Sequence, residues 1–245
     1  MIYYDMHCHL DEFADNEIES ILNSQRDLKI VAVSEDMKSL TRILDIADRF
    51  GDRVIPCAGF HPWSLKDHDV AEAYDIIKVA ESVGVRCVGE VGLDKRFMPV
   101  ETFNKQYEVF LMYINLAKEL DALINIHAPD AWREALAALV DNDVAKAMFH
   151  WYSGPLDLID DIVGRGYAVS INVALSIQPK LTKVVAVTPT SGIVFESDGP
   201  YVYHGVRLSP LMIPELAKKV AEIKGLEVDK LVELVKSNSE RLLGT

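Results

Sequence analysis

The sequence predicts an α/β protein with a TIM (β/α)8 barrel, a single domain over residues 1–245 that ends in extra C-terminal helices. Short apolar, β-branched runs alternate with amphipathic helical stretches along the chain, which favours a parallel sheet. Eight such runs can be counted, and eight parallel strands close into a barrel. The length of 245 residues is typical of this fold, and no linker or change in composition marks a second domain.

The predicted elements follow one another in a regular order. The strands are assigned to residues 2–7, 28–34, 53–60, 85–91, 122–126, 145–151, 167–172 and 193–196. Helical periodicity is clearest over residues 37–50, 70–83, 102–120 and 131–140. Two further helices follow the last strand, over residues 210–224 and 228–242.

The composition excludes several classes of protein. Hydrophobic residues make up 49% of the chain and charged residues 26%, as in ordinary globular proteins. No apolar run reaches the roughly 18 residues of a membrane span, and no signal-like segment precedes the first strand, so we expect a cytoplasmic protein without a membrane partner. The cysteines Cys8, Cys57 and Cys87 are odd in number and lie in apolar runs, which predicts buried free thiols in a reducing compartment.

The formal net charge of −13 limits any interaction with nucleic acid. A protein that binds long nucleic acid through its phosphates presents a basic surface, because counterion release supplies the affinity. We therefore expect no extended nucleic-acid-binding surface. A nucleic-acid substrate would be bound locally, at a site where bound metal reverses the sign of the field.

The first strand carries the pattern Asp5-Met6-His7-Cys8-His9. Because side chains alternate along a strand, Asp5, His7 and His9 are expected on one face and Met6 and Cys8 on the other. Two imidazoles on one strand face can bind a divalent ion, and the carboxylate below them can fix the orientation of the rings. Taken alone, the pattern also fits two ordinary histidines near an N-terminus.

The ends of the later strands supply further ligand types. Active sites of TIM barrels lie at the carboxyl ends of the strands. Five of the seven histidines lie at such ends, and these are His7, His9, His61, His127 and His150. Glu90, Asp94 and Asp198 follow strands four and eight in the same way, so the sequence predicts a metal-dependent active site. The two other histidines, His68 and His204, are expected to be solvated.

The sequence motifs at these strand ends resemble those of the TatD-type metal-dependent hydrolases and DNases, a branch of the amidohydrolase superfamily. The resemblance covers nearly the whole chain, with the motifs in family order. They are Asp-x-His-x-His (5–9), Gly-x-His-Pro (59–62), Gly-Glu-Val-Gly-Leu-Asp (89–94), the strand-five His127, His-x-x-Ser-Gly (150–154) and Ser-Asp-x-Pro-Tyr (197–201).

The resemblance implies a centre of two divalent ions that activates a hydroxide nucleophile. One ion would be bound by His7, His9, Glu90 and Asp198, and the second by Glu90, His127 and His150, with Glu90 as the bridge. This ligand set suits zinc, manganese or magnesium and does not choose among them. His61 and Asp94 are expected to contact the substrate. Asp198 and His61 are expected to be the catalytic residues, with Asp198 transferring protons. Glu196 has the same strand parity as Asp198 and would lie behind the ligands.

One departure from the family concerns phosphate binding. Family members commonly carry His-x-Arg at strand five, and Pro129 occupies the position of that arginine here. Arg207, after strand eight, could supply a cation for the substrate instead, as could Lys95 and Arg96 after strand four. The competing interpretation is that these are solvated loop charges.

Three functions are consistent with the sequence. The favoured one is phosphodiester hydrolysis at nucleic-acid ends or in nucleotides, as in an exonuclease-like TatD deoxyribonuclease. The alternative is an amidohydrolase, esterase or lactonase that acts on a small molecule with the same metal site. A non-catalytic barrel would not be expected to keep all the predicted ligands. Aromatic residues past the strand ends either stack on nucleobases or close the loops, and these are Trp63, Trp151, Tyr152, Tyr201 and Tyr203. The sequence specifies neither the physiological substrate, the metal nor the oligomeric state.

Overall fold

The computed structural model describes residues 1–66 and 70–245, so the prediction for His68 lies outside the described residues. Eight parallel strands form one sheet in the order β1 to β8, which confirms the predicted TIM barrel. The strands are β1 Tyr3–Cys8, β2 Leu28–Val33, β3 Val54–Ala58, β4 Cys87–Gly92, β5 Leu123–His127, β6 Ala147–Phe149, β7 Ala168–Asn172 and β8 Ile193–Glu196. Each predicted strand overlaps an observed one, and the ends differ by one or two residues.

Helices cover the outside of the barrel. They are α1 Asp15–Ser24, α2 Met37–Phe50, α3 Val70–Val83, α4 Phe103–Glu119, α5 Trp132–Asp141, α6 Ile159–Gly164, α7 Pro179–Val187, α8 Ile213–Lys224 and α9 Val228–Leu243. The two C-terminal helices are confirmed. The short hairpin of β9 Val202–Tyr203 and β10 Val206–Arg207 was not predicted, because two-residue strands are too short to show a period. Within the described ranges, no helix is long and apolar enough to cross a membrane.

Strand β1 departs from strict alternation, and this corrects one prediction. Met6 packs with Tyr4 in a buried cluster that includes residues from most of the other strands, whereas Cys8 packs in a different cluster with residues of α1 and α2. The register between β1 and β2 shifts between Asp5 and Cys8, so Met6 and Cys8 do not share a face. Consequently Asp5 does not lie behind the histidine rings; it accepts a hydrogen bond of 2.8 Å from the Ser197 amide.

The prediction of free thiols is wrong for two of the three cysteines. Cys57 of β3 and Cys87 of β4 are register partners on neighbouring strands, with Cα atoms 4.4 Å apart, and their sulfurs form a disulfide. Cys8 is free and buried, as predicted. The two paired residues are 30 positions apart, and only the strand register brings their side chains together.

Glycines allow β4 to approach β5 closely around Glu90. Gly89 and Gly92 have φ angles of +139° and +149°, which side-chain-bearing residues rarely adopt. A Cβ on Gly92 would lie 2.0 Å from the carbonyl oxygen of His127, and one on Gly89 would lie 2.5 Å from that of Asn125. The two glycines therefore hold the carboxylate of Glu90 next to the end of β5.

Candidate metal centre

The carboxyl ends of the strands surround a cavity of about 430 Å³. Most of the predicted site residues line it, namely His9, His61, Glu90, His127, His150 and Asp198. His7 lies directly beneath, fully buried, with its imidazole stacked on that of His150 at a centroid distance of 3.6 Å. Residues predicted from six separate strand ends thus meet within one small volume, as the barrel topology requires.

Glu90 occupies the middle of the cluster, and its two carboxylate oxygens face different imidazoles. Oε2 lies 3.3 Å from Nε2 of His7 and 3.5 Å from Nε2 of His9. Oε1 lies 2.7 Å from Nδ1 of His127 and 3.8 Å from Nε2 of His150. One carboxylate therefore contacts both groups of predicted ligands.

Asp198 lies beside the histidines of β1. Its Oδ1 is 3.4 Å from Nε2 of His7 and 3.3 Å from Nε2 of His9. The main chain fixes this arrangement, because the Asp198 amide donates to the His7 carbonyl and the His9 amide donates to the Gly199 carbonyl, both at 2.9 Å. The end of β1 and the loop after β8 are thus joined at the metal centre.

A partner on the outer side of His7 fixes which ring nitrogen faces the centre. Nδ1 of His7 lies 2.9 Å from the amide oxygen of Asn125, and the Asn125 amide nitrogen donates to the Met6 carbonyl. Because the Asn125 oxygen is an acceptor, Nδ1 of His7 carries the proton in the neutral ring, which leaves the Nε2 lone pair for a metal ion. Asn125, and not the predicted Asp5, is the residue that orients this ring.

Carboxylates hold two other imidazoles from behind. Nε2 of His127 donates to Asp94 at 2.9 Å, so in the neutral ring Nδ1, on the side of Glu90, would offer its lone pair to an ion. Nδ1 of His150 lies 3.0 Å from Glu196, so its Nε2 faces the centre. The expectation that Glu196 lies behind the ligands agrees with this contact.

His61 has the opposite arrangement. Its Nδ1 accepts a hydrogen bond of 3.1 Å from the backbone N–H of Trp63, so the neutral ring carries its proton on Nε2. Nε2 points inward, 3.4 Å from Oε1 of Glu90 and 3.2 Å from Nδ1 of His127. A protonated ring nitrogen cannot bind a metal ion but can donate a hydrogen bond. His61 lies at ligand distance, yet in this orientation it is a donor.

Charges within the cluster shift the pKa values of its members strongly. Burial alone would lower the pKa of His7, but Glu90 and Asp198 raise it well above its usual value. Burial would likewise lower the pKa of His127, but Asp94 and Glu90 raise it to about 9. Burial alone would raise the pKa of Glu90, but the surrounding histidines hold it well below the usual value. The carboxylates are therefore stabilised as anions by neighbouring positive charge.

The donor set fits divalent ions. Nε2 of His7 is buried, and among the described residues it has no hydrogen-bond partner. The ligand atoms of His7, His9 and Asp198 lie within 4.8 Å of one another, and Nδ1 of His127 lies 2.7 Å from Oε1 of Glu90. A divalent cation would balance the negative charge of the buried carboxylates. Neutral imidazole and carboxylate suit zinc, manganese and magnesium to different degrees.

The structure corrects the predicted role of Asp94. This carboxylate is buried and is absent from the described lining of the cavity. Oδ2 contacts His127 and accepts 2.6 Å from the Trp63 indole, and Oδ1 accepts from the backbone N–H groups of Arg96 and Phe97 at 2.7 Å. Both oxygens of Asp94 are thus engaged within the protein, and the side chain contacts His127 from behind and not from the cavity.

Arg207 is also placed differently from the prediction. It lies on β10, pairs with Glu17 of α1 and lines a separate shallow pocket with Phe13. The β9–β10 hairpin carries it away from the metal centre. The only arginine or lysine in the described lining of the cavity is Arg96.

Several polar residues of the site were not predicted, Asn125 and Glu35 among them. Asn125 precedes His127 by two positions and interrupts an otherwise apolar strand, a signal that it faces the same way. Glu35 lies two residues after the end of β2 and lines the cavity, so its place near a strand end was the available signal. Trp63, Trp151, Tyr201 and Tyr203 line the cavity wall, whereas Tyr152 is fully buried and donates to the Pro155 carbonyl.

The whole chain is similar to known proteins. A family profile described as TatD related DNase matches residues 4–244. Human deoxyribonuclease TATDN3 is 29% identical over 261 residues, which cover 97% of this chain and 93% of that protein. The metal-dependent hydrolase YcfH of Escherichia coli K12 is 27% identical over 259 residues, which cover 99% of this chain and 96% of YcfH. The crystal structure of YJJV, a TatD homolog from Escherichia coli K12, superposes on this chain with a TM-score of 0.89 at 22% sequence identity. The match covers 99% of this chain and 98% of YJJV, so the two share the same fold.

Proposed function

We propose that this chain, which belongs to the TatD related DNase family and is a metal-dependent hydrolase, uses two divalent ions. With them it would cleave phosphodiester bonds at nucleic-acid ends or in nucleotides. His7, His9 and Asp198 would hold one ion, and His127 and His150 the other. Glu90 would bridge the two. The identity of the ions is open between zinc, magnesium and manganese.

One observation carries the proposal, the position of Glu90. Its oxygens are directed to opposite sides, Oε2 towards the β1 histidines and Oε1 towards His127 and His150. A carboxylate that served one ion would not need imidazoles next to both oxygens. The tautomers support the same assignment, because the outer partners of His7, His127 and His150 leave a lone pair directed inward on each.

Different residues of the site would carry out different parts of the hydrolysis reaction. Divalent ions bound here would polarise a phosphoryl group and lower the pKa of a water molecule. Asp198 would accept the proton of the attacking water and return it to the leaving oxygen. Burial opposes its ionisation, but His150, His7 and His9 hold its pKa below the usual value, so it is an anion at neutral pH. His61 would donate a hydrogen bond from its Nε2–H group to a phosphoryl oxygen.

The size and walls of the cavity favour the end of a strand over the side of a duplex. A volume of about 430 Å³ is in the range of small-ligand sites. Exposed aromatic side chains at its mouth, including Trp63, Phe97 and Tyr201, offer faces on which a base can stack. Outside this cavity the net charge of −13 is unsuited to a long run of phosphate contacts.

A substrate panel tests the proposal. The chain, reconstituted separately with zinc, magnesium or manganese, is assayed on a short oligonucleotide, an aryl phosphodiester, a lactone and a dipeptide. We expect turnover of the two phosphodiesters, lost on chelation, restored by metal and reduced at least roughly 100-fold in Glu90→Gln. Glu108→Gln, which changes an exposed glutamate on α4, is the matched control and should behave as wild type. Turnover of the lactone or dipeptide alone would contradict the proposal.

A further inference from the structure

We infer that Arg96 binds a substrate phosphate that neighbours the scissile one. The site would therefore bind two consecutive phosphates of a nucleic-acid strand and not a single phosphodiester. The inference rests on the proposed function, and it names a residue that determines which phosphodiesters are preferred. Its basis is the position of this arginine in an otherwise acidic cavity.

The charges of the cavity wall single out Arg96. Four acidic residues line the described part of the wall, Glu12, Glu35, Glu90 and Asp198. Arg96 is the only arginine or lysine there. Two divalent ions would carry four positive charges, which Glu90, Asp198, an attacking hydroxide and the scissile phosphate would balance, so a further anionic group of the substrate would need a further cation. The strand-five position that could have held one is Pro129.

The guanidinium of Arg96 is held in a fixed position. Its Nε and Nη2 donate to the two oxygens of Asp130, at 2.9 and 2.8 Å, and its plane lies over Trp132 at 5.6 Å. Among the residues that the structure describes, Nη1 makes no hydrogen bond, so its two N–H groups are available to a ligand. A planar, pre-positioned guanidinium of this kind suits a phosphate.

The depth of Arg96 in the cavity indicates which phosphate it would bind. Its side chain is 38% exposed, whereas that of Glu90 is 2% exposed. The scissile phosphate would lie with the ions at the buried end, next to Glu90. Arg96 lines the same cavity but is more exposed, at its rim, where the next phosphate along an extended strand would pass.

The loop that carries Arg96 is joined to the metal centre. The Arg96 amide donates to Asp94, which contacts His127, and the Lys95 amide donates 3.0 Å to the Pro129 carbonyl. A purely structural role for the arginine would therefore disturb catalysis on every substrate. A role in binding a neighbouring phosphate would disturb only substrates that have one.

Three substrates separate these roles. They are a dinucleotide with one phosphodiester, a trinucleotide with two, and trinucleotides in which the linkage that is not cleaved is an uncharged methylphosphonate. We expect Arg96→Ala to raise KM for the natural trinucleotide about tenfold, the effect of losing one charge-assisted hydrogen bond, and to leave KM for the dinucleotide within about twofold. The methylphosphonate should raise the wild-type KM by a similar factor, and Arg96→Ala should then add nothing.

Controls make the result specific. Arg133→Ala removes an exposed arginine of α5 that pairs with Asp157 and does not line the described cavity, so it should match wild type on every substrate. Equal loss on dinucleotide and trinucleotide in Arg96→Ala, or no change on either, would overturn the inference alone. If the wild-type protein cleaved none of these substrates, the proposed function would fail first, and the inference with it.

Discussion

Two sides of the metal centre use the same ligand types but carry their negative charge in different places. On the β1 side, His7 is held from behind by the neutral amide of Asn125, and the charge comes from Asp198 inside the centre. On the β5 and β6 side, His127 and His150 are held from behind by the carboxylates Asp94 and Glu196. The first arrangement places a carboxylate inside the centre, and the second places carboxylates behind the imidazoles.

This difference in the position of the carboxylates suggests different chemical roles for the two sides of the centre. A carboxylate in the centre can exchange protons with the substrate, whereas a carboxylate behind an imidazole acts only through that ring. The β1 side is therefore suited to proton transfer and the β5 and β6 side to firm binding of an ion.

The largest effect is expected at Asp198. Asp198→Asn keeps an oxygen that can bind an ion but removes the base, so kcat should fall roughly 10²–10⁴-fold while the metal content stays near normal. Steady-state kinetics on an oligonucleotide, with elemental analysis of the same sample, measures both quantities. A fully loaded variant within about tenfold of wild-type kcat would show that Asp198 is not the base.

A smaller effect, confined to one ion, is expected at Asp94. Asp94→Asn keeps the side-chain volume and removes the charge behind His127, so one of two metal-binding steps should weaken by roughly 10–100-fold. Calorimetric titration of the metal-free protein resolves the steps. If both steps weakened equally, or neither did, the carboxylate behind His127 would not act on a separate ion.

Much of the fold and of the centre could be predicted from the sequence because both follow from the order of elements. Alternating strands and helices define the barrel, and every residue at a strand end is then directed to one face. That is why His127 and Asp198, which are 71 positions apart, could be placed together before any coordinates. The tautomers could not be predicted, because they depend on contacts such as that of His61 with the Trp63 amide.

Features that depend on register or on the path of a loop could not be predicted. Cys57 and Cys87 meet because of how β3 pairs with β4. Met6 and Cys8 separate because the register of β1 shifts. Arg207 and Arg96 both follow strand ends, but a hairpin turns the first towards α1 while an Asp94-centred turn holds the second at the cavity. None of these leaves a periodic signal in the sequence.

The number of ions bound is the most direct test of the account, which requires one ion on each side of Glu90. Elemental analysis after reconstitution should give about two equivalents in the wild type and about one in His127→Ala. His204→Ala, at an exposed histidine that does not line the described cavity, should retain about two. A single equivalent in the wild type, unchanged in His127→Ala, would contradict the two-sided centre.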